Sequence, residues 1–179
     1  MMLDAIRPRV ALDVATEIGS IAEHIRRVTL DARRLALGLA PVAVERAGLA
    51  GALALLKLDV EALRGPAVSV FVEERLVGVP LEMAVNLYRI AQEATANALR
   101  HSGASHIYIS AEVCDEVLLL AIQDNGCGVP AIGSEFWGLG IKSMVSRAEW
   151  LGGEFRLLPG TPQGTRVQVV VPMDRAKAK

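Results

Sequence analysis

The feature that most constrains the fold is a row of polar side chains on an otherwise apolar helix. The stretch RIAQEATANALRHS, from Arg89 to Ser102, is rich in helix-forming residues and places Glu93, Asn97 and His101 four residues apart. At 3.6 residues per turn, this spacing predicts that all three side chains lie on one face of a helix. A helix that only packs into a core needs no such row, so the pattern predicts a functional face.

Composition limits the class of protein. The chain has 179 residues, of which 52% are hydrophobic, enough for one good core. Its net charge of −1 predicts no general attraction to nucleic acid. Cys114 and Cys127 show no metal-binding spacing, which predicts a reducing, cytoplasmic setting. The longest apolar runs fall short of the roughly 20 residues that a membrane span needs. Any membrane attachment is therefore expected in segments outside this chain.

The first forty residues have a heptad pattern. Apolar residues from Ala11 to Leu39 recur at alternating steps of three and four, which predicts one long helix over 10–39. Gly38 and Pro41 are expected to end it. Such a seam predicts a coiled-coil or bundle helix that forms a homodimer, with residues 1–42 as a separate region. The alternative is a helix that packs on its own domain.

Beyond residue 42 the pattern is mixed. Glycine and proline divide it into helices and short apolar strands, with a long loop after residue 123. This order predicts an α+β fold over 43–173, a two-layer sandwich with helices on one sheet face, followed by a polar tail at 174–179. The predicted helices are 43–63, one that starts at Pro80, and 141–151, and the predicted strands are 67–72, 106–113, 117–123, 154–158 and 165–171.

Three glycine-containing stretches carry the remaining signal. DNGCG begins at Asp124, where an apolar strand ends, but Asn-Gly is also a common hairpin turn. GLG, at 138–140, precedes a helix whose free N–H groups could hold an anion, although such pairs are frequent in loops. GTRVQVVVP, at 164–172, could be an ordinary final strand. Each stretch has an ordinary explanation, but their joint order and spacing has none.

In this order the motifs resemble the catalytic ATP-binding domain of bacterial sensor histidine kinases, in the subgroup typified by nitrate sensors and the cold-sensing desaturase regulator. RIAQEATANALRHS is similar to the N box, DNGCG to the G1 box, GLGIKSMVSRAEWLGG to the G2 region, and GTRVQVVVP to the closing strand. The resemblance covers about residues 43–172, and the region before it, residues 1–42, resembles the second helix of the family's dimerisation unit. It implies the Bergerat ATP-binding sandwich shared with type II topoisomerases, Hsp90 and MutL, with ATP and Mg²⁺ as cofactors.

The chemistry of three residues agrees with this resemblance. Asn97 offers a neutral amide oxygen that suits Mg²⁺, while phosphates and water complete the coordination. Glu93, one turn earlier, is the predicted catalytic base that accepts a proton or orients the nucleophile. Asp124 can accept a hydrogen bond from the exocyclic amine of adenine and would repel the carbonyl of guanine, which predicts selection of ATP over GTP.

The other predicted nucleotide-binding residues surround these three. Arg100 or His101 would contact phosphate oxygens. An equal alternative is that these cations only stabilise the C-terminal end of the helix through its dipole. A lid is predicted from Val129 to Trp137, with Phe136 and Trp137 as packing anchors. Gly126 and Gly128 are predicted to let the base and ribose approach the backbone, and Thr165 to lie near adenine. The predicted phosphate-binding turn consists of Gly138, Leu139, Gly140, Ile141, Lys142 and Ser143.

The phosphate acceptor is where the resemblance is incomplete. In the family, the acceptor histidine lies in a motif similar to E-L-H-D, and nothing in this chain matches it. His24 lies beside the heptad seam and is interpreted as a solvated flank residue. The chain is therefore expected to keep the ATP site, to take its histidine from elsewhere and to serve a response regulator.

Two other function classes stay open. One is a non-catalytic nucleotide-binding dimerisation module, which a retained base at Glu93 disfavours. The other is a serine-directed kinase or an ATPase of the same fold. The helix SMVSRAEWLGG after the lid favours the histidine kinases, and the absence of a long transducer domain disfavours the topoisomerase and MutL type.

Overall fold

The structure, a computed structural model, describes residues 40–63, 65–76, 78–129 and 137–173. The predicted coiled-coil helix, with His24, lies outside the described residues, as do most of the predicted lid and the polar tail. The predicted division into 1–42, 43–173 and 174–179 therefore stays a prediction.

Helices and strands follow the predicted order. Strand β1 has the predicted ends, the other strands start where predicted, and the remaining ends differ from the predicted ones by at most three residues. The helices are α1 (Ala40–Ala62), α2 (Leu81–Asn97) and α3 (Leu139–Trp150), with a 3₁₀ turn at Glu74–Leu76 and a π-helical turn at Ala98–Ser102. The strands are β1 (Ala67–Val72), β2 (His106–Cys114), β3 (Val117–Asp124), β4 (Glu154–Pro159) and β5 (Thr165–Pro172).

Helix α1 contains a kink that the apolar pattern did not predict. Gly48 has φ 65° and ψ −174°, which divides the helix into 40–47 and 49–62. This backbone conformation is essentially restricted to glycine, because a side chain would clash with its own backbone.

The five strands form one sheet in the order β1-β2-β3-β5-β4. Strands β1 and β2 are parallel and are connected through α2, whereas the other neighbours are antiparallel. The β2–β3 hairpin turns at Asp115 and Glu116, whose φ angles are 49° and 63°. Positive φ at both central residues is typical of the two-residue turns that match strand twist. The hairpin turn therefore lies between the strands predicted at 106–113 and 117–123.

One face of the sheet carries the core. Alternate residues of the central strands are buried and pair across the sheet, as Ile109 pairs with Ile122 and Leu120 with Val169. These residues pack with buried side chains of all three helices in one apolar cluster. On the opposite face, Phe71 is 60% exposed. The predicted two-layer α+β sandwich is confirmed.

A membrane span would need a longer and more apolar helix than any in the described part of the chain.

Candidate functional site

A cavity of about 460 Å³ opens where α2, the end of β3, the start of α3 and strands β4 and β5 meet. Most of the predicted site residues line it: Glu93, Asn97, Arg100, His101, Asp124, Gly128, Gly138, Leu139, Gly140, Ile141 and Thr165. Its walls also include residues that were not predicted, among them Ala94, Ala98, Ser102, Ile122, Met144, Leu157 and Val167. Gly126, Lys142 and Ser143 are not part of the lining.

The inner end of the cavity contains a buried carboxylate. Asp124 is the last residue of β3 and is 6% exposed. Its Oδ1 accepts a hydrogen bond of 2.8 Å from the backbone N–H of Gly126. Among the described residues, Oδ2 accepts no hydrogen bond. Because Asp124 lines the cavity, this oxygen is available to a donor that enters it.

Backbone segments around Asp124 approach so closely that only glycine fits. A Cβ at Gly126 would overlap the carbonyl of Ser102, and a Cβ at Gly164 would overlap the carbonyl of Asp124. Gly164 also has φ 98°, and Gly128 has φ 78° with the carbonyl oxygen of Gly164 3.1 Å from its Cβ position. Sequence reasoning missed Gly164, although it directly precedes the predicted Thr165.

Asn125 fixes the same turn to the neighbouring strand. Its Oδ1 accepts hydrogen bonds of 3.0 Å from the backbone N–H groups of Ser105 and His106. The next element along the described chain is α3, so the alternative of a two-residue hairpin at Asn125-Gly126 is wrong. The side chain was missed because its role depends on a strand start about twenty residues earlier in the chain.

The outer end of the cavity is built by the end of α2. Glu93 and Asn97 lie one turn apart, and the helix then changes to the π-helical turn. In this turn Arg100, rather than His101, contacts both residues. Its Nη2 donates to Asn97 Oδ1 at 2.7 Å and to Glu93 Oε1 at 3.1 Å. His101 lines the same cavity without joining this network.

The start of α3 packs directly on Glu93. A Cβ at Gly140 would overlap Glu93 Oε1, so glycine at this position permits the contact. The helix begins two residues earlier than predicted, and the backbone N–H of Lys142 donates to Gly138 O at 3.1 Å. That N–H is therefore not free to bind an anion, and the side chains of Lys142 and Ser143 are exposed outside the cavity.

Two contacts hold α3 in place. Arg147 Nη1 donates to Asn86 Oδ1 on α2 at 3.0 Å. Burial, with a smaller contribution from the nearby charge of Arg89, lowers the pKa of Arg147. Just before the helix, Trp137 makes an edge contact with Phe155 at 6.0 Å between ring centroids, as expected for a packing anchor. Phe136 lies outside the described residues, as does the rest of the lid from 130 to 135.

The side-chain oxygens at the outer end can be compared with the ligands that Mg²⁺ prefers. Among the described residues, no group of three or more His, Cys, Asp or Glu side chains could hold a metal ion. The cavity offers the amide oxygen of Asn97 and the carboxylate of Glu93. Mg²⁺ commonly takes one or two protein oxygens and completes its shell with phosphates and water, so these residues fit the ion.

Comparison with known proteins finds similarity over the part of the chain that contains the cavity residues. A sequence model of the family described as histidine kinase-, DNA gyrase B- and HSP90-like ATPase matches residues 82–175. The chain is 31% identical over 176 residues to the sensor protein VraS of Staphylococcus saprophyticus, across 98% of this chain and 50% of that protein. The chain thus spans about half the length of the curated relatives it matches.

Solved structures share the fold. The histidine kinase domain of the Erythrobacter litoralis EL346 blue-light-activated kinase has a TM-score of 0.62 at 24% identity, over 73% of this chain and 63% of that one. The ATP-binding domain of PrrB from Mycobacterium tuberculosis has a TM-score of 0.50 at 27% identity, over 66% and 88%. Because the family match spans more than half of the 179 residues, the chain belongs to the histidine kinase-, DNA gyrase B- and HSP90-like ATPase family.

Proposed function

We propose that this chain is the catalytic module of a two-component sensor histidine kinase. It binds Mg-ATP and transfers the γ-phosphoryl group to a histidine supplied elsewhere in the full-length protein or by a partner, for relay to a response regulator. The observation that carries this proposal is that a buried carboxylate, Asp124, and the Glu93–Asn97 pair line the same cavity.

The inner end would hold adenine. Asp124 Oδ2 is an acceptor without a partner among the described residues, and the exocyclic amine of adenine is a matching donor. Guanine presents a carbonyl oxygen at that position, which an ionised carboxylate repels. Gly126 and Gly164 keep the backbone around this carboxylate free of side chains, and Thr165 lies beside it at the start of β5.

The outer end would hold the phosphates. Asn97 would hold Mg²⁺, whose charge stabilises the transferring phosphoryl group when the ion is bound. Glu93 would accept the proton of the attacking group or orient that group in line. Arg100, His101 and the glycine turn at 138–140 line the space where the phosphate tail would lie.

Finer assignments extend the same proposal. The order of the four motifs supports membership of the subgroup typified by nitrate sensors and the desaturase regulator. The heptad pattern of 10–39 supports a homodimer through that region, and the low net charge argues against nucleic acid as a partner. We propose a cytoplasmic location for this module, with any membrane anchor in other segments of the full-length protein; two isolated cysteines without metal-binding spacing support a reducing setting.

A second candidate is a non-catalytic nucleotide-binding module, and a third is a serine-directed kinase or ATPase. The position of Glu93 favours the kinase, because its carboxylate lies in the cavity beside Asn97, where a binder needs no base. The acid stability of the phosphorylated product shows whether the acceptor is a histidine or a serine.

The test is incubation with γ-labelled ATP followed by phosphosite mapping. We expect the chain alone to bind Mg-ATP without labelling itself, because phosphoryl transfer needs an acceptor held in line. A fusion that supplies the family's histidine helix before Met1 should acquire an acid-labile label. Stoichiometric phosphate on His24 would show a complete kinase instead, and acid-stable labelling would favour a serine-directed enzyme.

A further inference from the structure

Arg100 makes an unusual set of contacts at the outer end of the cavity. One nitrogen, Nη2, donates to both Asn97 Oδ1 and Glu93 Oε1, at 2.7 and 3.1 Å. The Nε of the same guanidinium donates to the carbonyl of Ala96 at 3.0 Å. The side chain is therefore folded back along its own helix and lies over the two functional oxygens.

Arg100 lies in the π-helical turn that follows Asn97 directly. π-helical turns within helices are rare and are frequent at functional sites. Residues three and four positions apart share a helix face, so the spacing alone does not choose between Arg100 and His101 as the contact of Asn97. In the structure the contact is Arg100, a permanent cation.

The two oxygens held by Arg100 are those that the proposed function assigns to the metal and to the acceptor proton. Asn97 Oδ1 cannot present the same lone pair to a guanidinium at 2.7 Å and to Mg²⁺ at about 2.1 Å. Two cations this close also repel each other strongly in a partly enclosed site. Arg100 and Mg²⁺ are therefore expected to exclude each other at Asn97.

The contacts of Arg100 with Glu93 and Asn97 are weak enough for its side chain to exchange partners. The side chains of Arg100 and Glu93 are 33% and 32% exposed, and ion pairs at this exposure contribute little stability. Arg100 lines the cavity and is free to turn toward bound phosphates. A bound nucleotide would offer the guanidinium a bidentate partner in place of the two oxygens it leaves.

We propose that Arg100 is a built-in counter-cation that occupies the metal position at Asn97 until Mg²⁺ displaces it. The inference rests on the proposed function. Metal binding releases Arg100 toward the phosphate tail and removes the cation that covers Glu93 Oε1. Nucleotide without metal leaves Arg100 in place, so the base becomes available only when Mg²⁺ and nucleotide are both bound.

The test follows side-chain NMR signals of Arg100 Nε and the Asn97 amide in the whole chain. With saturating ADP and EDTA, the Arg100 signal should stay near its ligand-free position. Titration of Mg²⁺ into the ADP complex should then move both signals with one midpoint, while the Nε signal of Arg166, outside the cavity lining, stays unchanged. Movement on ADP alone, or no movement with Mg²⁺, would overturn the inference.

Variants give a second readout. Arg100→Met removes the competitor, so the Mg²⁺ midpoint at saturating ADP should fall by about two- to fivefold, the range for exposed ion pairs. Arg166→Met is the matched charge control and should leave the midpoint unchanged. In the Asn97→Ala background, Arg100→Met should no longer lower the Mg²⁺ midpoint. A midpoint that rises or stays constant in Arg100→Met contradicts the exchange. Failure of the wild-type chain to bind ADP at all would instead reject the proposed function.

Discussion

The two ends of the cavity are built in different ways. At the inner end, Asp124 is buried, and backbone segments meet at Gly126 and Gly164, where no side chain fits. At the outer end, the functional groups are long side chains on a helix terminus, and Glu93 and Arg100 are each about one-third exposed. The inner end is fixed by main-chain contacts, whereas the outer end is held by exchangeable hydrogen bonds.

This difference matches two separate tasks. Recognition of a rigid base benefits from a preorganised pocket, because little order is lost on binding. Phosphoryl transfer requires metal, nucleotide and acceptor to be brought together in sequence, which favours side chains that can exchange partners. Changes at the inner end should therefore alter affinity and stability, and changes at the outer end should alter the rate of transfer.

The largest effect is expected for Gly164→Ala. The new Cβ would overlap the carbonyl of Asp124 in a backbone with φ 98°, so we expect a loss of about 3 kcal/mol in the free energy of unfolding and a large loss of Mg-ADP affinity. Denaturant unfolding and calorimetry measure the two. Gly78→Ala is the matched control, because Gly78 has φ 97° and no atom within 4 Å of its Cβ position. Equal losses in both variants would show that backbone strain, not close packing, explains the effect.

At the outer end, Glu93→Gln should slow phosphoryl transfer by roughly 100-fold, the lower range for loss of a general base. Mg-ADP affinity should stay within a few-fold, because the amide keeps the size of the side chain and an oxygen for Arg100. Single-turnover transfer to a supplied histidine helix and calorimetry measure the two quantities. A parallel loss of binding and rate would remove Glu93 from the catalytic role.

Asp124→Ala should weaken Mg-ATP binding by about 1.5–3 kcal/mol, the range for a hydrogen bond to a charged group. The same change should narrow the preference for ATP over GTP, because the carboxylate no longer repels the guanine carbonyl. Titration calorimetry with both nucleotides checks both effects. Unchanged ATP affinity would mean that adenine binds elsewhere.

The smallest effect is expected for Gly140→Ala. The Cβ would push against Glu93 Oε1 and move the carboxylate, so transfer should slow by about tenfold, as misplaced catalytic groups do. The fold should be unaffected, because alanine is a better helix former than glycine. Ser146→Ala, on the exposed face of the same helix and outside the cavity lining, is the control and should transfer at nearly the wild-type rate. Equal transfer rates in the two variants would show that a side chain at position 140 does not displace Glu93.

The same division explains what the sequence could predict. Short apolar runs predicted β2, β3 and β5 closely, since their inward residues form the core. Asp124 and Gly126 were predicted from the local motif DNGCG, and the hydrogen bond between them lies within that short loop. The contact of Gly164 with Asp124 joins segments forty residues apart, and no local pattern encodes it.

The outer end was harder to predict for a local reason. Residues three and four positions after Asn97 share its helix face, so spacing could not choose between Arg100 and His101, and the structure shows that Arg100 contacts Glu93. The earlier start of α3 likewise leaves Lys142 and Ser143 outside the cavity. Helix ends depend on tertiary packing, so one or two residues of error there decide which side chains reach a site.

The division of tasks between the two ends can be tested with one rate. The measurement is the single-turnover transfer rate of Asp124→Ala at saturating Mg-ATP, with a histidine helix supplied as acceptor. If the inner end only binds and selects the base, the saturated rate should stay within about threefold of wild type, since a change in uniform binding leaves kcat unaltered. A saturated rate that falls about as far as that of Glu93→Gln would contradict the account, because it would show that the adenine end also contributes to the chemical step.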